Sequence, residues 1–275
     1  MNLRGSLPLI SALLEGVRPR PEGGFEFDFN LDDPVKDVVF LTSVETKAPR
    51  FEAEIKRYSP YRFRGDYEGF RNTIKNFDVD RVLGPTPWAS DKSDIWEFFD
   101  IGGRRFMEKV GESSFDVAIT PHAPPSQGGK SQLCNIMLSS IELHGTIGMS
   151  VRGGVVKNAV SSIGVDENAL LTDLDRLYDE EVALAHFETV KAMIDNAKRD
   201  GVFKVKNILP QWRKYVMGFL VFKDKVGEAI AKARTVLFVD DYHTTNATVR
   251  EVARLIKEVN PDAKLYAYTL AKSYS

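Results

Sequence analysis

The stretch Val236–Val259, VLFVDDYHTTNATVREVARLIKEV, decides how the chain is read. Four apolar residues run into two adjacent aspartates, Asp240 and Asp241, and then into Thr244, Thr245, Asn246, Ala247 and Thr248. An amphipathic spacing begins near Val249 and predicts a helix. The apolar run, β-branched and aromatic and bounded by polar residues, predicts a buried strand. The first amides of a helix lack partners within it and carry partial positive charge, so this turn is suited to a phosphate, with threonine hydroxyls as extra donors. Asp240 and Asp241 repel an anion, but they accept hydrogen bonds from a sugar diol or help to hold a metal. A strand end followed by a helix cap accounts for each residue singly. It does not account for two neighbouring carboxylates, whose repulsion a cap does not require.

Outward from this stretch, SFDVAIT (114–120) predicts another strand, the proline- and glycine-rich PHAPPSQGGKS (121–131) a loop, and QLCNIMLSSIEL (132–143) a helix. That succession is the half-unit of a parallel α/β sheet. KDVVFLTSV (36–44), RKYVMGFLVF (213–222) and KLYAYTLAKS (264–273) read as further strand regions, and SDIWEFFDIGGRRFMEKVG (93–111) as a helix despite its glycine pair. LRGSLPLISALLEG (3–16) carries a short apolar helix pattern, closed by Pro19, Pro21 and two glycines. The segment 166–201 reads as one long helix, and a lone histidine within it, His186, is assigned only packing or surface exposure.

The chain has 275 residues, enough for one large domain or two small ones with a substantial core. Its formal charge of -2 gives no global field favouring nucleic acid or an anionic membrane. A single cysteine, Cys134, forms no intramolecular disulfide, and no secretory leader pattern opens the sequence, so a cytoplasmic location is expected. No apolar stretch reaches the roughly 18 residues of a membrane-spanning helix. The alternating aromatic and basic residues of 61–77 are better explained by packing inward and solvation outward than by a nucleic-acid surface.

In open parallel sheets, ligands bind beyond the carboxyl ends of the strands, which directs attention to two loops, 120–132 and 240–248. The second resembles the phosphoribosyl-pyrophosphate (PRPP) motif of type I phosphoribosyltransferases: four apolar residues, two acids, three spacers, then Thr-Gly-x-Thr. Asn246 stands where that family usually has glycine; asparagine is the non-glycine residue best tolerated in a left-handed conformation. The resemblance extends more loosely to the ComF-like branch of the family. YRFRGDYEGFRNTIKNF (61–77) is similar to its aromatic and basic entry segment. GGRRFMEKVGESSFDVAITPHAPPS (102–126) resembles its helix, strand and proline-containing loop. GGKSQLCNIM (128–137), with Gln132 on a matching glutamine, is similar to its helix start, and RKYVMGFLVF to a later strand.

The resemblance implies an α/β fold with a parallel, Rossmann-like phosphoribosyltransferase core over residues 90–275. It also implies an N-terminal extension or hood over 1–89 and a helical insertion at 166–200. It further implies a Mg²⁺-dependent transfer of phosphoribose from PRPP, or from a nucleotide plus pyrophosphate, to a nitrogenous base or amine. Asp240 and Asp241 would contact the ribose hydroxyls and share the metal with pyrophosphate oxygens. Thr244, Thr245, Asn246, Ala247 and Thr248 would cradle the 5-phosphate. Lys130, the only cation of the first loop, would meet pyrophosphate together with His122, and Arg213 would approach from the lid region. A homodimer is compatible with this reading. So is a PRPP- or nucleotide-binding protein without catalysis, in a regulatory or DNA-processing role. A P-loop NTPase reading of GGKS (128–131) is disfavoured: the motif needs glycine five positions before Gly129, and Pro124 stands there without an amide hydrogen.

Overall fold

Runs such as Val236–Val239, apolar without alternation, need cover on both faces, and a parallel sheet between helices provides it. The computed structural model of the protein describes residues 14–15, 17–19, 25–27, 35–41, 51–58, 61–63, 94–122, 133–199, 201, 203–223, 225–243 and 247–272. In chain order the strands are β1 (Leu14–Glu15), β2 (Val17–Pro19), β3 (Phe25–Phe27), β4 (Val35–Leu41), β5 (Phe51–Tyr58), β6 (Tyr61–Phe63), β7 (Ser114–Pro121), β8 (Thr146–Lys157), β9 (Gly164–Val165), β10 (Val216–Met217), β11 (Leu220–Phe222), β12 (Thr235–His243) and β13 (Lys264–Lys272). The helices are α1 (Asp94–Val110), α2 (Leu133–Glu142), α3 (Glu167–Asp175), α4 (Glu180–Lys198), α5 (Val226–Ile230) and α6 (Ala247–Val259).

The parallel part of the main sheet has the order β8-β7-β12-β13-β5. β11 closes the β8 edge in antiparallel fashion, and β4 pairs antiparallel with β5 beyond the other edge. β6 also pairs with β13, and β1 with β6. Described strands of the N-terminal segment 1–89 therefore extend the same sheet from β13. The chain leaves β7 through α2 towards β8 and leaves β12 through α6 towards β13, in opposite directions. Strand order thus reverses between β7 and β12.

Alternation along β12 assigns its side chains to two faces. Val236 and Phe238 join Leu265, Ala267, the α6 residues Val252 and Ile256, and Leu170, Phe187, Val190 and Ile194 of α3 and α4 in one buried cluster. At about 1.5–3 kcal/mol for each large apolar side chain, the α3 and α4 residues contribute on the order of 10 kcal/mol of gross burial. α3 and α4 are therefore packed against the rest of the core. On the other face, Phe106 of α1 stacks on Phe115 at 5.8 Å and meets Tyr268 at 5.0 Å. The glycine pair inside α1 has a packing reason: a Cβ on Gly103 would come within 2.5 Å of Ser140 Oγ and 2.8 Å of the Ser140 carbonyl carbon on α2. Close helix approach outweighs the roughly 1 kcal/mol propensity cost of a helical glycine.

Several expectations are corrected. The segment 166–201 forms two helices, because Asp179 starts a new one, its carboxylate accepting the Val182 amide hydrogen at 3.0 Å. RKYVMGFLVF is not one strand: a 3-10 turn, Pro210–Tyr215, leads into β10 and β11, which are separated at Gly218. β8 carries no strong apolar run, yet it extends for 12 residues. Leu14–Glu15 is extended where a helix pattern was read. α6 starts at Ala247, two residues before Val249.

Two predictions concern this framework. Asp116 joins the starts of β7 and β12: its Oδ2 accepts the amide hydrogens of Arg234 at 2.6 Å and Thr235 at 3.0 Å, and its own amide donates to Thr235 Oγ1. These backbone donors, Arg234 first and Thr235 second, hold the carboxyl below its ordinary pKa. A depressed carboxylate pKa adds stability that is present above the unfolded-state value and lost as pH falls through the folded value. Asp116→Asn should therefore flatten the acid side of the melting temperature against pH profile below about pH 4; an unchanged acid limb would refute the assignment. Tyr268 is fully buried, and its hydroxyl has no hydrogen-bond partner among the described residues. An unsatisfied buried hydroxyl costs about 1–3 kcal/mol. Tyr268→Phe should then raise the melting temperature by a few degrees, and a fall of similar size would reveal a partner for the hydroxyl.

Candidate functional site

β12 and β7 part company at a defined point. Their pairing ends at Phe238↔Ile119, whereas β12 remains paired with β13 as far as His243↔Lys272. The gap in pairing between β7 and β12 beyond Phe238, referred to below as the crevice, thus lies at their carboxyl ends and at the reversal of strand order. That is where open α/β sheets bind ligands. Asp240 and Asp241 lie just past the split. The strand does not stop at them, as the sequence suggested, but continues to His243.

Adjacent strand residues project to opposite faces. Asp240 follows Val236 and Phe238 onto the α6 face and is 7% exposed; Asp241 follows Leu237 and Val239 onto the α2 face and is half-buried. The Asp240 carboxylate accepts the Asp241 amide hydrogen at 2.9 Å, which fixes its rotamer. The pair thus offers one carboxylate on each side of β12, with less mutual repulsion than two acids on one face would have.

The wall formed by β7 is also built with care. Thr120, fully buried, donates from its hydroxyl to Asn135 Oδ1 at 3.1 Å and accepts the Gly153 amide hydrogen at 2.8 Å. The His122 amide donates to the Val155 carbonyl at 2.7 Å. These bonds anchor both ends of the first loop, one on β8 and one on the first turn of α2. His122 is exposed just past the carboxyl end of β7. On the β12 side, Ala247 is buried and Thr248 half-buried in the first turn of α6. Lys130, Thr244, Thr245 and Asn246 lie outside the described residues.

β8 is parallel to β7, so its end at Lys157 stands on the same edge as His122 and Asp241. The chain leaves there, builds residues 158–219 and returns along β11. Residues 158–219, which include α3 and α4 and are termed the cap, thus run from the carboxyl end of β8 to β11. Arg213 belongs to this cap: its Nε donates to the Ile208 carbonyl at 2.7 Å, and burial lowers its pKa. Lys214 pairs with Asp173 at 2.7 Å. Asp240 and Asp241 thus lie near the carboxyl end of β12, His122 follows the carboxyl end of β7, Thr248 stands in the first turn of α6, and Arg213 is anchored within the segment 158–219.

Sequence reading missed Glu251, only 3% exposed on α6, which accepts the Gly218 amide hydrogen at 2.7 Å and pairs with Arg254 at 2.8 Å. The available signal was an acid four residues before Leu255, on the buried side of the helix. Thr120 and Asn135 had no such signal, since their roles depend on contacts across the fold.

As donors, Asp240 and Asp241 suit Mg²⁺, which takes oxygen ligands and is usually held by one or two carboxylates plus substrate phosphates. No group of three or more acidic, histidine or cysteine side chains among the described residues forms a complete metal cage. Nor is any helix among them long and apolar enough to cross a membrane. Compared with known proteins, the chain matches no family model and no curated sequence.

Proposed function

We propose that the crevice between β7 and β12 binds PRPP and that the protein is a Mg²⁺-dependent phosphoribosyltransferase acting on a nitrogenous base or amine. One observation carries the reading: the acid pair that resembles the start of the PRPP motif falls at the reversal of strand order, where β12 separates from β7, and Thr248 of the same motif stands in the first turn of α6. A ribose diol donating to the two carboxylates would extend towards α6, whose first turn offers amides and the Thr248 hydroxyl to the 5-phosphate. Pyrophosphate would lie towards the first loop, near His122 and Lys130, with Arg213 reaching it if the cap moves.

Displacement at the anomeric carbon develops positive charge on the sugar and negative charge on the departing oxygens. Donors fixed at the leaving group then lower the barrier. Bound Mg²⁺ would neutralise part of the pyrophosphate charge. The buried Asp240, on the α6 side, would orient the ribose, and the cap would exclude water from the reacting carbon.

A pyrophosphate-release screen with PRPP, Mg²⁺ and a panel of purines, pyrimidines and amines tests the proposal, alongside calorimetry with PRPP. Release with at least one acceptor is expected. PRPP affinity without release across the panel would favour a binding protein over an enzyme, and absence of PRPP affinity would overturn the assignment of the crevice.

A further inference from the structure

A cleft of about 210 Å³ opens between α3, the turn Pro210–Tyr215 and α6; its polar lining comprises Asp166, Asp173, Arg176, Lys214, Tyr215 and Arg250. Three cations from three elements face two carboxylates, a net charge of +1. Both carboxylates already serve the protein. Asp166 caps α3 by accepting the Ala169 amide hydrogen at 3.0 Å, and Asp173 accepts from Lys214 Nζ at 2.7 Å and from the Tyr215 hydroxyl at 2.8 Å. Burial, reinforced by the bond to Asp173, pushes the Tyr215 pKa up, so the hydroxyl remains a donor. Arg176 is exposed and has no ion pair among the described residues.

We infer that this cleft is a second ligand site, which takes a small phosphate-bearing molecule held by Arg176, Lys214 and Arg250. Two arginines present planar forks that match phosphate oxygens, and a lysine adds a point charge. The volume is below the about 300–1,000 Å³ of pockets for drug-sized ligands, so the occupant is inorganic phosphate or a small monoester. Arg250 lies two residues beyond Thr248 on α6, whereas Arg176 and Lys214 belong to the cap. A ligand there bridges the cap to the helix that leads out of the crevice. The inference does not depend on what the crevice binds.

Equilibrium dialysis with inorganic phosphate and with glycerol 3-phosphate tests it on the full chain. Arg176→Glu, at an exposed position, should weaken binding at least tenfold, and Lys214→Gln severalfold. Lys232→Gln, which removes an exposed cation away from both the cleft and the crevice, should leave this binding intact. Tighter binding of the monoester would identify an organic phosphate as the occupant, and tighter binding of the free ion would identify phosphate itself. Absence of saturable binding, or binding unchanged in both cap variants, would overturn the inference. Failure of PRPP to bind leaves it standing.

Discussion

Asparagine at both Asp240 and Asp241 is expected to weaken PRPP binding by at least a hundredfold and to reduce pyrophosphate release below detection, with the fold retained. Each carboxylate would accept a charge-assisted hydrogen bond from the ribose diol, worth about 1.5–3 kcal/mol. Losing two such bonds removes roughly 3–6 kcal/mol, or two to four powers of ten in affinity. The fold should survive because an asparagine amide oxygen at 240 can still accept the Asp241 amide hydrogen, as Asp240 does at 2.9 Å. Removing two neighbouring charges also relieves repulsion.

Single variants sharpen the result, since the two residues face opposite sides of β12. Asp240→Asn should cost more affinity than Asp241→Asn, because Asp240 is the more buried and lies on the α6 side, where a charge-assisted bond is less screened by water. Calorimetry with PRPP and Mg²⁺, paired with melting curves, reads both effects. Unchanged affinity in the double variant would remove the carboxylates from the site, whatever else the crevice binds.

The elements around the crevice were those most legible in the sequence, for a physical reason. β7, β12 and β13 are covered on both faces and are written as continuous apolar runs, whereas α2 and α6 follow loops rich in glycine, proline or threonine. β8 was not legible. Only Val155 and Val156 near its end make an apolar pair, Met149 is half-exposed, and its pairing with β7 specifies it better than its composition does. The break before α4 was legible in principle, since Asp179 followed by Glu180 and Glu181 is a helix-start signal inside a helical pattern. For the site, chemistry written locally, such as the acid pair and the threonines, could be read; chemistry made by folding could not. Thr120 meets Asn135 15 residues away and Gly153 33 residues away, and no spacing rule links them.

The same distinction gives the largest expected effect on stability, at Gly218. Its φ of 75° lies in the left-handed region, and a Cβ there would come within 2.2 Å of the Ser162 carbonyl oxygen. Its amide hydrogen goes to the buried Glu251, whose only other bonds among the described residues are to Arg254. Gly218→Ala therefore combines backbone strain of about 1–2 kcal/mol with displacement of the Ser162 backbone and loss of a charge-assisted bond worth about 1.5–3 kcal/mol. Destabilisation of roughly 3–5 kcal/mol is expected, which lowers the melting temperature by about 10 °C. Glu251→Gln should cost less, because an amide oxygen still accepts from Gly218 and only the ion pair with Arg254 is lost. The ordering has a consequence for the proposed site: Gly218 joins the returning strand of the cap to α6, so loosening it frees the helix whose first turn would border the 5-phosphate. Hydrogen exchange should then quicken in α6 from Glu251 onward in Gly218→Ala before it quickens in β13. Equal protection of both elements, or a melting temperature within a degree of the parent, would show that the turn at Gly218 yields without consequence for α6.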